Sequence, residues 1–193
     1  HYLMLDSALI TAWLVICYLL GTLSLGDILC RLKGIDIRSV GTMNPGATNI
    51  YKTLGPIYGL AIFFLDVSKG LSSTLIPLFL FDSPIYIGSL AMFCMMAGHL
   101  LKTPWGKAGG TGMATTMGAC WGLFPVGVII AVLPSLLVLV ITRNTTYTGI
   151  FAFLLAIIGG WLAQGQMIEV MSVLIAAGLV LIKYRIQYHR ISE

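Results

Sequence analysis

Apolar residues fall in long continuous blocks along this chain, with polar stretches between them. The blocks run from about Ser7 to Leu29, Pro56 to Phe81, Ile85 to Leu101, Met113 to Ile141, Thr148 to Leu162 and Met167 to Ile182. A helix needs about 20 predominantly apolar residues to cross the hydrocarbon core of a bilayer. Unbroken runs predict such helices, whereas the strands of an outer-membrane barrel would alternate. The Met113–Ile141 block contains Pro125 and Pro134, and it is long for one span and short for two. The polar stretches are Arg31–Gly55, Gly98–Thr116, Thr142–Asn144 and a tail from Lys183.

Charge decides how often the ambiguous block crosses, because Lys and Arg collect in cytoplasmic loops. If it bends near Phe124-Pro125 and crosses twice, every one of the 11 basic residues except Lys69 falls on one side. The opposite connections, at Asp82, Phe124-Pro125 and Gln164, then hold no Lys or Arg. A six-span path would put Arg143 and the basic tail on the far side. The expectation is an all-α integral membrane protein with seven transmembrane helices, the N-terminus outside and the C-terminus cytoplasmic. Residues 1–193 form one polytopic domain. Composition agrees: 58% apolar, 9% charged and a mean hydropathy of +0.96, against about 25% charged in soluble domains. The chain starts at His1 rather than at a methionine, so residues ahead of it are expected. No signal peptide with a cleavage site is evident.

Cysteine and histidine usage narrows the chemistry. Cys17, Cys30, Cys94 and Cys120 lie in or beside apolar runs without paired spacing, and they read as small buried hydrophobes. The histidines are His1, His99 and His189, with no His-Glu-x-x-His pattern. No metal, cofactor or nucleic acid is expected.

The stretch Gly98–Thr116, GHLLKTPWGKAGGTGMATT, joins two apolar blocks and contains Lys102, Lys107, Gly109, Gly110, Thr111 and Gly112. Glycines let backbone N–H groups turn to one side with no Cβ in the way. A row of such groups at a helix start, here near Met113, cradles an anion. The alternative is a plain glycine turn between two membrane helices. It is not a Walker A loop, because the G-x-x-x-x-G-K-[ST] pattern is absent. On the same side, Gly41–Gly55 reads GTMNPGATNIYKTLG. Its hydroxyls (Thr42, Thr48), amides (Asn44, Asn49) and cation (Lys52) suit a phosphorylated polyol, or else an ordinary structured interfacial loop. Arg143 faces this side as well. Asp66 and Lys69 sit inside a span at i, i+3 spacing, on one helix face where they can pair. A structural ion pair and a functional one are both open. His99, at the end of a block, can act as acid, base or anion partner, or simply pack.

Three segments carry a family resemblance. GTLSLGDILCRLKGIDIRSVGTMNPGATNIYKTLG, from Gly21 to Gly55, resembles GSxPFGxLxxxxxGxDxRxxGSGNxGATNxxRxLG. LDVSKG at Leu65–Gly70 is similar to LDxxKG. GHLLKTPWGKAGGTGMATTMGA resembles GHxFxxFxxFKGGKGVATxxG. The order, spacing and seven-span pattern are those of the bacterial acyl-phosphate:glycerol-3-phosphate acyltransferases of the PlsY type, and the likeness covers nearly the whole chain. The resemblance implies transfer of a fatty acyl group from acyl phosphate to glycerol 3-phosphate, giving lysophosphatidate and phosphate for phospholipid synthesis. It implies a bacterial plasma-membrane protein with a cytoplasmic active face. Thr42, Asn44, Lys52, Lys107, Gly109, Gly110, Thr111, Gly112 and Arg143 would bind substrate phosphate, and His99 is the candidate for a catalytic role.

The motif of the thioester-using acyltransferases is absent, since Pro104 stands five residues after His99. Within the resemblance, Thr42 replaces a serine, Lys52 an arginine and Thr111 a lysine. Aligned on Arg190, Tyr184 and Gln187 fall where the family's tail has His and Asn. Lys52 keeps charge but loses bidentate geometry, and Thr111 loses the cation. A second reading therefore stands beside the enzyme: a catalytically silent homologue serving as a structural or lipid-binding subunit of a larger membrane complex.

Overall fold

The computed structural model describes residues 2–101, 109–165 and 167–192, with side chains from 7 to 187. Lys102 and Lys107, both expected near the anion cradle, lie outside the described residues. Among those residues there are helices and no strands: α1 (Tyr2–Thr22), α2 (Leu25–Leu32), a 3-10 turn (Ile37–Ser39), α3 (Ala47–Leu54), α4 (Pro56–Leu80), α5 (Ile85–Leu100), α6 (Met113–Leu123), α7 (Pro125–Thr142), α8 (Thr145–Gln164) and α9 (Met167–Ser192). Of these, α4, α7, α8 and α9 are each long and apolar enough to cross a membrane. Together α1 and α2 make a fifth, broken by a 40° bend.

That bend departs from the single run expected over Ser7–Leu29. The helix stops at Thr22 and resumes at Leu25. Breaking it frees the Leu23 carbonyl, which accepts a hydrogen bond from Lys69 Nζ at 2.8 Å. Irregular backbone is tolerated at membrane depth when protein groups satisfy it. After the break, α2 turns Asp27 inward and leaves Leu32 exposed.

The Met113–Ile141 block divides at Phe124. Pro125 opens α7 at a first-turn position, where its missing N–H costs nothing, and it cannot continue α6. Pro134 stays inside α7. With 11 residues, α6 spans about 16 Å, roughly half the hydrocarbon core. It is held tightly against α4: Gly70 lies on the Thr115 carbonyl, and Gly118 lies on the Val67 carbonyl. Any side chain at either position would drive the helices apart, and lipid-embedded helices pair through such small residues. An apolar cluster including Met92, Met96, Leu123, Phe124, Val173 and Ala176 fills the space between α5, α6 and α9.

Candidate functional site

At one end of the bundle, the loop before α3 meets the loop before α6. Asn49, buried on α3, fixes the first loop. Its Nδ2 donates to the carbonyls of Val40 (3.0 Å) and Ile37 (3.4 Å), and its Oδ1 accepts from the Thr42 N–H at 3.1 Å. Asn44 Oδ1 accepts from the Gly46 N–H at 3.2 Å. Gly46 in turn caps α3, so the Thr42–Gly46 backbone wraps around a helix start. Met43 has φ +52°, in the left-handed region that a side chain disfavours by about 1–2 kcal/mol. The family motif places a glycine at that position.

The second loop lies directly against the first. A Cβ on Gly110 would stand 2.9 Å from Asn44 Oδ1 and 3.4 Å from Gly46 Cα. The Gly109 N–H donates to the His99 carbonyl at 2.8 Å, and its Cα faces the His99 ring so closely that a Cβ would stand 2.9 Å from Nδ1. Gly112, at φ +82°, turns the chain into α6, a conformation that suits glycine. His99 is buried, with no hydrogen-bond partner on Nδ1. It lies beneath the glycine loop rather than in open solvent.

Two more helices reach this end. From α9, Gln187 Nε2 approaches the Thr42 carbonyl at 3.5 Å, and Lys183 Nζ donates to the Leu100 carbonyl at 2.7 Å. From α8, Thr145 Oγ1 accepts from Thr48 Oγ1 at 3.3 Å. Asn144 caps α8 by accepting from the N–H groups of Thr146 and Tyr147, and Arg143 closes α7 just before it, exposed and at φ +49°. Lys52 is exposed on α3, one turn beyond Thr48 on the same face.

The structure thus brings Thr42, Asn44, Gly109, Gly110, Gly112 and His99 into one contiguous set of residues. Thr111 is half-buried between Gly110 and Gly112, and Lys52 and Arg143 are exposed, each within four residues of the Thr48–Thr145 hydrogen bond that joins α3 to α8.

Asp66 and Lys69 pair at 3.1 Å with both side chains about 10% exposed. Through the Leu23 carbonyl, Lys69 also ties α4 to the α1–α2 break. A second acidic anchor escaped the sequence reading. Buried Asp27 accepts from Arg38 Nε at 3.1 Å and pairs with Arg31 at 3.0 Å. Asp36 caps the 3-10 turn by accepting from the Arg38 N–H. This double tether sets where the Gly41–Gly46 loop begins. Its signal was present in the GxDxRxxG part of the motif, since Asp36 and Arg38 are its two charged positions.

Fold and site together define a multi-pass helical membrane protein with two glycine-rich polar loops packed together at one end of the bundle. The class agrees with the comparisons. The chain belongs to the glycerol-3-phosphate acyltransferase family, whose model matches residues 11–193. It is similar to the glycerol-3-phosphate acyltransferase of Aquifex aeolicus, with 30% identity over 178 residues and 92% of each chain covered. It is also similar to that of Geobacter sulfurreducens, with 30% identity over 190 residues, 98% of this chain and 96% of that one. Among solved structures it resembles PlsY (YgiH), an integral membrane glycerol 3-phosphate acyltransferase, in its glycerol 3-phosphate form, with a TM-score of 0.83 and 28% identity over 94% of this chain and 91% of that one. The lysophosphatidic acid form of PlsY superposes with a TM-score of 0.80 at 27% identity.

Proposed function

We propose that this protein transfers a fatty acyl group from acyl phosphate to glycerol 3-phosphate, releasing lysophosphatidate and phosphate, the first acylation in phospholipid synthesis. The observation that carries the reading is the contact of two glycine-rich loops, Gly41–Gly46 and Gly109–Gly112, at one end of a membrane bundle. Backbone N–H groups with edge cations suit two phosphorylated substrates, and a site at the bilayer surface suits an acyl chain. The acceptor hydroxyl oxygen bonds to the acyl carbon. The bond from that carbon to the phosphate oxygen breaks, phosphate leaves with its electron pair, and the hydroxyl proton ends in the phosphate and water pool. Acyl phosphate is already an activated anhydride, so no covalent enzyme intermediate is needed. Positioning and charge stabilisation are the protein's contribution.

In this reading Asn44, Gly110, Thr111, Gly112 and the exposed Thr42 hydroxyl hold phosphate, with Lys52, Lys107 and Arg143 supplying charge; the N–H groups of Thr42, Gly46 and Gly109 are bonded within the loops, and their backbone shapes the cradle. His99 is a positioning residue that supports Gly109 from below. Asp66 and Lys69 are structural. Purified protein given palmitoyl phosphate and labelled glycerol 3-phosphate forms lysophosphatidate; an absence of product above background would leave the silent-subunit reading.

The path is seven-pass, through α1, α4, α5, α6, α7, α8 and α9, with the site on the cytoplasmic face of the bacterial plasma membrane. The distribution of basic residues supports this orientation. Cysteines placed at Arg143 and Asp82, in a background without the native four, label from opposite sides of sealed vesicles. Labelling from the same side contradicts the path.

A further inference from the structure

Where α1 crosses α5, both helices carry the same short pattern: Cys17-Tyr18-Leu19-Leu20-Gly21 on α1 and Cys94-Met95-Met96-Ala97-Gly98 on α5. The two glycines mark the crossing. A Cβ on Gly21 would run into the Met95 carbonyl and stand 3.1 Å from Gly98 Cα, and one on Gly98 would run into the Tyr18 carbonyl. The helices run in the same direction. Trp13, early in the apolar part of α1, meets Phe81 edge-on at 6.5 Å, just ahead of α5. At the other end, Gly21 and Thr22 meet Gly98 and His99.

Each cysteine stands four residues before its glycine. It therefore shares the glycine's helix face and lies about 6 Å from the crossing along the axis. In parallel helices these two equal steps reach the same level, so the two thiols meet in one interface. Cys17 is fully buried there in a cluster with Ala91 and Met95, and half-buried Cys94 packs against that cluster. Trp13, Leu14 and Leu20 surround the pair with apolar groups. The other two cysteines lie apart from it, Cys30 with Ile37 and Ile50, and Cys120 with Met92 and Leu123. All four are free thiols.

A charge inside a membrane span is expensive, so a ligand that suits two thiols here leaves no net charge behind. We infer that Cys17 and Cys94 form a dithiol site that takes up a monosubstituted trivalent arsenical as a neutral bridged adduct. Two S–H bonds and the arsenic–oxygen bond break, and two arsenic–sulfur bonds form. Both protons leave with the oxygen as one water molecule. No atom changes oxidation state, so neither an oxidant nor a reductant takes part. The organic group on arsenic projects past half-buried Cys94 towards lipid, and the bridge ties α1 to α5 one turn from their glycine contact. This site stands apart from the acyltransferase reading.

The test uses the reduced full chain in nanodiscs and phenylarsine oxide. One equivalent binds, the intact mass rises by one phenylarsenic group less two hydrogens, and digestion yields a bridged peptide pair holding Cys17 and Cys94. Cys17→Ala and Cys94→Ala each weaken binding at least about tenfold, whereas Cys30→Ala and Cys120→Ala leave it unchanged. If an alanine variant fails to fold, the near-isosteric Cys17→Ser and Cys94→Ser carry the same expectation. Dimercaptopropanol strips the adduct, and mercaptoethanol at equal thiol concentration does not. Because the bridge joins two helices of the folded chain, phenylarsine oxide at about 100 times its Kd raises Tm by about 5 °C or more. A wild type that binds none, a bridge through Cys30 or Cys120, or binding that survives loss of either Cys17 or Cys94 would overturn the inference. An unchanged or lower Tm would overturn it as well, since the thiols would then be reached only by opening the crossing.

Discussion

The α4–α6 and α7–α8 pairs are joined in the same way and serve different ends. Each brings backbones together through glycine: Gly70 and Gly118 in the first, Gly127 against the Ala156 carbonyl in the second. Both turn large apolar residues outward, Leu133 (76% exposed) and Val140 (72%) on α7 and Phe79 (78%) on α4; they differ inside, where α7 buries the polar Ser135 and α4 buries Asp66, Ser73 and Thr74. Lipid tails are as apolar as leucine, so an apolar face gains little by burial there. The most apolar helix is therefore the one that faces lipid. Polar residues inside a span mark the interior, and in α4 they lead towards the site.

The comparison is most easily broken at Asp66. Asp66→Ala leaves Lys69 without its charge partner, although the Leu23 carbonyl remains. The expected loss is about 3 kcal/mol, the low end for a broken buried pair. Thermal unfolding in detergent reads it, and an unchanged Tm would mean that the pair does not hold α4 in place.

Smaller effects belong to the site and should appear in kinetics. Lys52→Ala should lower kcat/KM about tenfold, as expected for one charge-assisted bond to phosphate at an exposed position. Its Tm should not change, since Lys52 is solvated on α3; a fall in stability of similar size would make Lys52 a structural residue. Gly110→Ala pushes a Cβ onto Asn44 Oδ1, which already holds the Gly46 N–H. Losing that bond costs about 1 kcal/mol, or about fivefold, read as a raised KM for glycerol 3-phosphate with kcat nearly unchanged. An unaltered KM would separate the two loops functionally.

The smallest effect is expected on α7. Leu133→Ala removes contacts with lipid alone and should change stability by less than about 0.5 kcal/mol. A larger loss would show that α7 is covered by protein.

Much of this was legible from the chain. Continuous apolar blocks located the long helices, and Pro125 located the break after α6, because proline's missing N–H and fixed φ act locally. The glycine loop before Met113 announced the start of α6 for the same reason. The bend at Leu23–Ser24 was not legible. It depends on Lys69, 46 residues away, taking a freed carbonyl, and no local pattern carries that contact. The Asp27–Arg38 tether was legible only in part: Asp36 and Arg38 are the charged positions of GxDxRxxG, but Asp27, buried between Arg31 and Arg38, is seen only in the fold. Individual site residues were legible as types and spacings. Their contact, Gly110 on Asn44 and Gly109 on His99, exists only in the fold.

The central claim is acyl transfer at the junction of those two loops. It is tested most directly by measuring lysophosphatidate formation from palmitoyl phosphate and glycerol 3-phosphate by the purified wild-type protein beside Gly110→Ala and Lys52→Ala. The account predicts clear wild-type turnover, a raised glycerol 3-phosphate KM in the first variant and a lower kcat/KM in the second. Wild-type protein that is folded, monodisperse and without turnover above background would contradict it.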